Sequence, residues 1–108
     1  MPATTGTAKN ILTVGAAELS NQIPTYSTDV QLSAFSSWGP TDDGRIKPDL
    51  VAVGTNVLSS YATNDNAYSS ISGTSMATPN VTGSLLLLQE LYARRNSNAV
   101  MRSATVKG

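Results

Sequence analysis

The feature that most constrains the fold is a long apolar pattern with helical spacing in the last third of the sequence. It extends from Met76 to about Arg94, and along one face the apolar residues are separated by four, three and four positions, which predicts an α-helix. The apolar positions are Val81, Leu85, Leu86, Leu87, Leu88, Leu91 and Tyr92. They make nearly the whole circumference apolar, so the helix is predicted to be central and buried. Gly83 is expected to cost it about 1 kcal/mol, which close packing of a neighbouring element would make tolerable.

Short apolar segments bounded by glycine and proline precede this helix and predict strands. Residues 11–14 are nearly continuous in apolar and β-branched side chains, so they predict a buried strand that ends at Gly15. Further predicted elements are strands at 31–35, 48–54 and 56–60, a loop at 18–31, and turns at 39–44 and 63–66. After the long helix, Ser97 or Asn98 is predicted to cap a final helix that continues through Val106.

Composition sets limits on the class of protein. A length of 108 residues suits one small domain or part of a larger one. Seven acidic and seven basic residues give no net charge, which argues against a nucleic-acid partner. Few charges among many small polar residues favour a secreted or surface protein, and the absence of cysteine excludes disulfides and thiol chemistry. No signal peptide is predicted at the N-terminus, and the longest apolar run is too short to span a bilayer.

A short turn sequence joins the strand region to the predicted helix. Residues 72–80 are Ser-Gly-Thr-Ser-Met-Ala-Thr-Pro-Asn. If Ser75 lies at the helix start, its N–H is a donor without an intrahelical acceptor, and the positive end of the helix dipole lies there. A hydroxyl attacking a carbonyl at this point would leave the oxyanion beside a ready donor. Gly73 would allow the sharp entry, and Pro79 would fall at or just past the last N–H that needs no partner.

The same hydroxyl groups have a simpler explanation as helix caps. Thr74 and Ser75 are residue types common at the N-cap, and serine-capped helices far outnumber serine nucleophiles. A serine is also a poor nucleophile without a neighbouring base. The sequence has no histidine, and its lysines do not suggest a serine–lysine pair. The lysines are Lys9, Lys47 and Lys107. The residues alone therefore leave both roles open and favour the cap.

Three blocks of the sequence resemble the subtilisin-like serine peptidases (subtilases, peptidase family S8). The block Gly73-Thr74-Ser75-Met76-Ala77-Thr78-Pro79 closely resembles the nucleophile motif of that family, and its seven residues make it very specific. Residues 35–49, FSSWGPTDDGRIKPD, are similar to the family's segment upstream of the serine. Residues 8–16, AKNILTVGA, are similar to the strand upstream of that segment. The blocks stand in the family's order and cover nearly the whole chain.

The resemblance implies an α/β fold, namely the C-terminal part of a subtilisin-like three-layer α/β/α sandwich with a mostly parallel sheet. Residues 1–108 would be a partial catalytic domain, because in the family the triad aspartate, the triad histidine and the oxyanion asparagine all precede the serine. Such a piece is expected to expose sheet edges and helix faces that the rest of its own domain covers. Taken alone, it is therefore expected to self-associate, to exchange elements between copies or to be only marginally stable.

The resemblance also implies a serine endopeptidase that hydrolyses peptide bonds of peptide or protein substrates through an acyl-enzyme on Ser75. Thr74 and Ser75 would support the oxyanion. The remaining motif residues are Gly73, Met76, Ala77, Thr78 and Pro79. On this interpretation the isolated chain is inactive, because its base lies outside it. The alternative is a non-catalytic structural or interaction domain in which Ser75 is only a helix cap.

The sequence departs from the family pattern at two places. The family often has histidine where this chain has Asn80, and often has Ala-Pro-Gly where it has Ala52-Val53-Gly54. No cofactor or metal is expected here, because Asp42, Asp43 and Asp49 favour a turn over a cation site. A calcium site elsewhere in the larger protein would fit the family but is not assignable to these residues. A secreted or cell-surface location also follows from the resemblance.

Overall fold

The computed structural model describes residues 4–20 and 23–108, in which short strands come first and one long helix follows. The strands are β1 (Val14–Leu19), β2 (Val30–Leu32), β3 (Leu50–Val53), β4 (Val57–Ser60) and β5 (Tyr68–Ile71). The helices are α1 (Thr74–Arg95) and α2 (Ser103–Lys107), and two 3₁₀ turns occupy Thr4–Thr7 and Ser27–Asp29. This order of elements confirms the α/β class.

The strands form two separate sheets within the described residues. In the first the strand order is β2-β1-β3, and β1 pairs in parallel with β3 from Val14↔Leu50 to Ala17↔Val53. β2 pairs antiparallel with the C-terminal part of β1, and β4 pairs antiparallel with β5 in the second sheet. Because β1 and β3 are parallel, their carboxyl ends meet at one edge of the first sheet.

A small core forms where α1 packs against β1 and β3. Its buried apolar side chains among the described residues are those of Ala16, Ala17, Ala77 and Val81. Ala16 and Ala77 have relative exposures of 0%. Small side chains allow the helix and the sheet to approach closely, so the first turns of α1 are held against the two strands.

The first strand lies further along the chain than the sequence predicts. β1 starts at Val14 and continues to Leu19, because the backbone before it makes contacts other than those of a strand ladder. The Ile11 carbonyl accepts hydrogen bonds from the side chains of Lys47 and Lys107. Gly15 does not end the strand. A Cβ there would lie 2.8 Å from the Pro48 ring, so glycine instead permits a close contact inside the sheet.

The other strands follow the prediction more closely. β3 and β4 confirm the strands predicted at 48–54 and 56–60. β2 ends at Leu32, short of its predicted end, because the chain turns there and the Ser36 N–H donates to the Ser33 carbonyl at 2.9 Å. β5 has no counterpart among the predicted strands, and it forms through its antiparallel pairing with β4.

The predicted start of the final helix is wrong. α2 begins at Ser103 with Arg102 as its N-cap residue. Ser97 and Asn98 instead have φ values of 53° and 63°, and the Asn98 N–H donates to the Ala93 carbonyl at 2.8 Å. Left-handed residues with such a bond commonly terminate helices, so these two residues end α1 rather than begin α2.

The apolar circumference of α1 is only partly covered, in contrast to the predicted burial. Leu86 and Leu87 are 64% and 68% exposed, and Leu88 and Leu91 are also exposed. A Cβ at Gly83 would have no heavy atom within 4 Å, so nothing in the described residues packs closely there. Within these residues α1 contacts the sheet along one face, which leaves the others open. No helix among them is long and apolar enough to cross a membrane.

Candidate active site

The serine turn, defined here as residues 72–75, connects the end of β5 to the start of α1. Gly73 is the N-cap residue of α1, and Ser75 is therefore its second helical residue. The Gly73 N–H donates to the Gly54 carbonyl at 2.7 Å. The Gly73 carbonyl accepts from the N–H groups of Met76 and Ala77 at 3.0 and 3.3 Å. These bonds fix the turn to the residue after β3 and satisfy two donors of the first helical turn.

Ser75 itself remains exposed and available. Within residues 4–20 and 23–108, neither its N–H nor its hydroxyl has a hydrogen-bond partner, and the Thr74 N–H also has none. The positive end of the α1 dipole lies at the same place. A hydroxyl group thus lies beside unpaired backbone donors, which is the arrangement that stabilises an oxyanion formed by attack of that hydroxyl on a carbonyl.

The structure does not support a capping role for the hydroxyl groups of the turn. The N-cap position belongs to Gly73, and no side chain makes a cap hydrogen bond there. Pro79 also lies deeper in α1 than predicted, as the sixth helical residue. Proline has no N–H, so it cannot donate to the Ser75 carbonyl four residues earlier.

Three residues for which the sequence predicts no such role hold the serine turn in place. Asn80 donates its side-chain N–H to the Val53 carbonyl at 2.8 Å, which ties α1 to the end of β3. The Ser72 hydroxyl accepts from the Asn56 N–H at 2.9 Å. Gly54 accepts from the N–H of Gly73, as described above. These contacts join segments far apart in the sequence, so no local pattern marks them.

An open groove of about 470 Å³ lies beside the serine turn. Its walls include Thr74 and Thr78 from α1, Val14 at the start of β1, Leu12 before that strand, and Phe35. Both polar and apolar groups line it. The groove therefore borders the serine turn through Thr74, whereas Ser75 is not among its walls.

A buried ion-pair cluster joins the residues that precede β1 to those that precede β3. Lys47 Nζ lies 2.6 Å from Asp49 Oδ2, and the lysine side chain is only 3% exposed. It also donates to the Ile11 carbonyl and to the Thr13 hydroxyl. Lys107 Nζ lies 3.4 Å from the other carboxylate oxygen of Asp49. Two cations and one carboxylate thus fasten residues 11–13 to the strand entry at 47–49 and to α2.

Two of the three acidic residues considered as a cation site, Asp43 and Asp49, are held by such ion pairs. Asp43 pairs with Arg45 at 2.8 Å and accepts from the Thr41 hydroxyl at 2.6 Å, which closes the predicted turn. The hydrogen bonds from Arg45 and Thr41 lower the pKa of Asp43 to about 2. Among the described residues no three acidic, histidine or cysteine side chains come together as metal ligands would.

Acid is expected to destabilise the fold through Asp49. Partial burial acts to raise the pKa of this carboxyl group, but the hydrogen bonds from Lys47 and Thr13 and the charges of both lysines outweigh it and lower the pKa from 3.8 to about 2. The pKa of Asp49 is lower in the folded protein than in the unfolded protein. Its carboxylate therefore stabilises the fold fully above about pH 4, and this contribution is lost as the pH falls through about 2. The urea concentration at the unfolding midpoint, measured from pH 5 to pH 2, should decrease as the pH falls below about 4. An Asp49→Asn variant should lose much of that dependence, and an equal slope in both proteins would contradict the assignment.

Comparison with known proteins agrees with this geometry. The sequence model of the subtilase family matches residues 1–108. C5a peptidase of Streptococcus pyogenes is 53% identical over 70 residues, which are 65% of this chain and 6% of that protein. PII-type proteinase of Lactococcus lactis subsp. cremoris is 40% identical over 70 residues, or 65% of this chain and 4% of that protein. The chain therefore spans only a small part of the length of these relatives.

A solved structure gives the corresponding result for the fold. The CspB protease of Clostridium perfringens superposes with a TM-score of 0.73 and 33% sequence identity, over 96% of this chain and 20% of that chain. The similarity supports a partial α/β domain of the subtilisin-like type. Together with the family match over every residue, it leads to one conclusion: the chain belongs to the subtilase family.

Proposed function

We propose that Ser75 is the nucleophile of a serine endopeptidase and that residues 1–108 are the C-terminal part of its catalytic domain. The observation that carries the proposal is the exposed Ser75 in the first turn of α1, whose N–H has no acceptor among the described residues. Family membership and the likeness to proteases support the same function.

In the proposed reaction the Ser75 Oγ attacks the carbonyl carbon of a peptide bond, and a histidine outside these residues accepts the hydroxyl proton. The Ser75 N–H stabilises the oxyanion that forms, with Thr74 supporting it. When this intermediate collapses, the bond to the amine breaks and the amine takes the proton from the histidine. The acyl group then remains as an ester on Ser75. Water then hydrolyses the ester by the same sequence of steps. The aspartate that orients the histidine and the asparagine that supplies a second oxyanion donor belong to the rest of the domain.

The remainder of the catalytic domain is proposed as the main partner of this chain. Several large apolar side chains on α1 are exposed, which a soluble monomer seldom tolerates as a continuous face. The missing part of the domain would cover them and would supply the base. In isolation the same surfaces favour self-association, and the chain by itself is expected to be inactive.

The proposed substrates are peptides or proteins, and the proposed location is secreted or on the cell surface. The small share of charged residues, 13%, is compatible with an extracellular protein. The named relatives are a peptidase and a proteinase, which supports a substrate with peptide bonds.

A fluorophosphonate probe, which reacts covalently with activated serines, tests the proposed function. The longer protein that carries these residues, the 108-residue chain and the Ser75→Ala form of each would be treated in parallel. We expect labelling of the longer protein at Ser75, loss of that labelling in its alanine variant, and no labelling of the 108-residue chain.

Other outcomes would contradict distinct parts of the proposal. An unlabelled but folded longer protein would favour a non-catalytic structural or interaction domain. Labelling of Ser75 in the 108-residue chain would mean that the serine is activated without any histidine, and the mechanism above would be wrong.

A further inference from the structure

The closest backbone contact near the candidate site joins two glycines from different elements. Gly54 follows β3, and Gly73 precedes α1. The Gly73 N–H donates to the Gly54 carbonyl at 2.7 Å. A Cβ built on Gly54 would lie only 2.7 Å from the Gly73 carbonyl oxygen, a separation that real Cβ atoms essentially never show. The Gly73 N–H therefore bonds to Gly54, and the Gly73 carbonyl oxygen occupies the space that a side chain at Gly54 would need.

This contact bears directly on the geometry of Ser75. The Gly73 carbonyl is the acceptor for Met76 and Ala77, so it determines which first-turn N–H groups are satisfied. The N–H groups of Thr74 and Ser75 are left without acceptors in the part of the chain that the structure describes. A shift of the Gly73 carbonyl would rotate the first turn of α1 and move the Ser75 hydroxyl and N–H together.

We infer that Gly54 is a positioning residue for Ser75, and this rests on the proposed function. It acts through Gly73: its lack of a side chain allows the backbone of the serine turn to lie against the end of β3. The Gly54 N–H donates to the Ala17 carbonyl at 3.0 Å. The serine turn is therefore also fixed to β1, the central strand of the first sheet. The serine is thereby placed by a chain of backbone contacts from β1 through Gly54 to Gly73.

Gly54 also has a packing role, which can be separated from positioning. A Cβ at this position would lie 2.8 Å from the Ala16 Cβ and 3.2 Å from the Ala77 Cβ. These contacts involve side chains and can be relieved by a second substitution. The contact with the Gly73 carbonyl involves backbone and cannot be relieved in that way.

The test compares alanine substitutions in the longer protein. Gly54→Ala is expected to lower kcat for a peptide substrate and the rate of fluorophosphonate labelling by on the order of 10²-fold, with KM changed by less than about threefold, since small misplacements of reacting groups have effects of this size. Ser84→Ala is the control, because it adds no atom and removes only a hydroxyl group that donates to the Asn80 carbonyl in the same helix. Its labelling rate should equal that of the unaltered protein.

A double variant, Gly54→Ala with Ala16→Gly, separates positioning from packing and guards against misfolding of the single variant. It should regain much of the melting temperature lost by Gly54→Ala while its labelling rate stays low. Recovery of the labelling rate together with the melting temperature would overturn the inference, as would normal labelling of Gly54→Ala. No labelling of the unaltered protein would instead overturn the proposed function, and the inference with it.

Discussion

Alanine at position 75 is expected to reduce peptide hydrolysis by the longer protein by on the order of 10⁶-fold, the loss known for a serine nucleophile in this family. The reason is chemical, because alanine offers no oxygen on which an acyl-enzyme can form. The measurement is kcat with a chromogenic peptide substrate, supported by the loss of ester formation in a rapid-quench experiment. Binding of the substrate should change little, because the backbone N–H groups of the turn remain.

The same substitution should leave the fold intact. The Ser75 side chain is exposed and makes no hydrogen bond to the described residues, so its removal should alter the free energy of unfolding by less than about 0.5 kcal/mol. Ser84→Ala is the matched control on α1, since that hydroxyl donates only to the Asn80 carbonyl in the same helix. It should retain full activity. Substantial turnover by Ser75→Ala would show that another residue is the nucleophile.

The parts of the site that the sequence could predict are those determined by neighbouring residues. The spacing of leucines after Met76 specifies α1 locally, so its start near Ser75 follows from the periodicity. A serine in the first turn then lies beside the unpaired N–H groups of that turn. The resemblance to the subtilases adds the proposed role of Ser75 as a nucleophile, which periodicity alone could not distinguish from a cap.

Features that depend on distant segments could not be predicted in the same way. The start of β1 differs from the prediction because the Ile11 carbonyl is bound by Lys47 and Lys107, which are far along the chain. The importance of Gly54 becomes visible only when the serine turn is placed against it. The exposure of α1 has a related cause: its apolar circumference predicts burial, but residues 4–20 and 23–108 cover only one face of the helix.

Removal of the Asp49 carboxylate is expected to cause the largest loss of stability among single substitutions of charged residues in this chain. Lys47, whose side chain is 3% exposed, would keep its ammonium charge, and its remaining partners among the described residues would be the Ile11 carbonyl and the Thr13 hydroxyl. An uncompensated buried charge of this kind costs about 3–5 kcal/mol. Asp49→Ala also removes the acceptor of the Thr13 N–H, which now bonds to Oδ2 at 2.7 Å. Urea unfolding of the longer protein at pH 7 would measure the effect.

The control is an ion pair of equal length on the surface. Arg94 and Glu90 also approach to 2.6 Å, but their side chains are 74% and 55% exposed. Glu90→Ala should therefore cost less than about 0.5 kcal/mol, because water already solvates both charges. The two variants separate burial from distance as the source of the stabilisation. If Asp49→Ala and Glu90→Ala destabilised the protein equally, the cluster around Lys47 would be solvated in solution, and the strand start at Val14 would need another explanation.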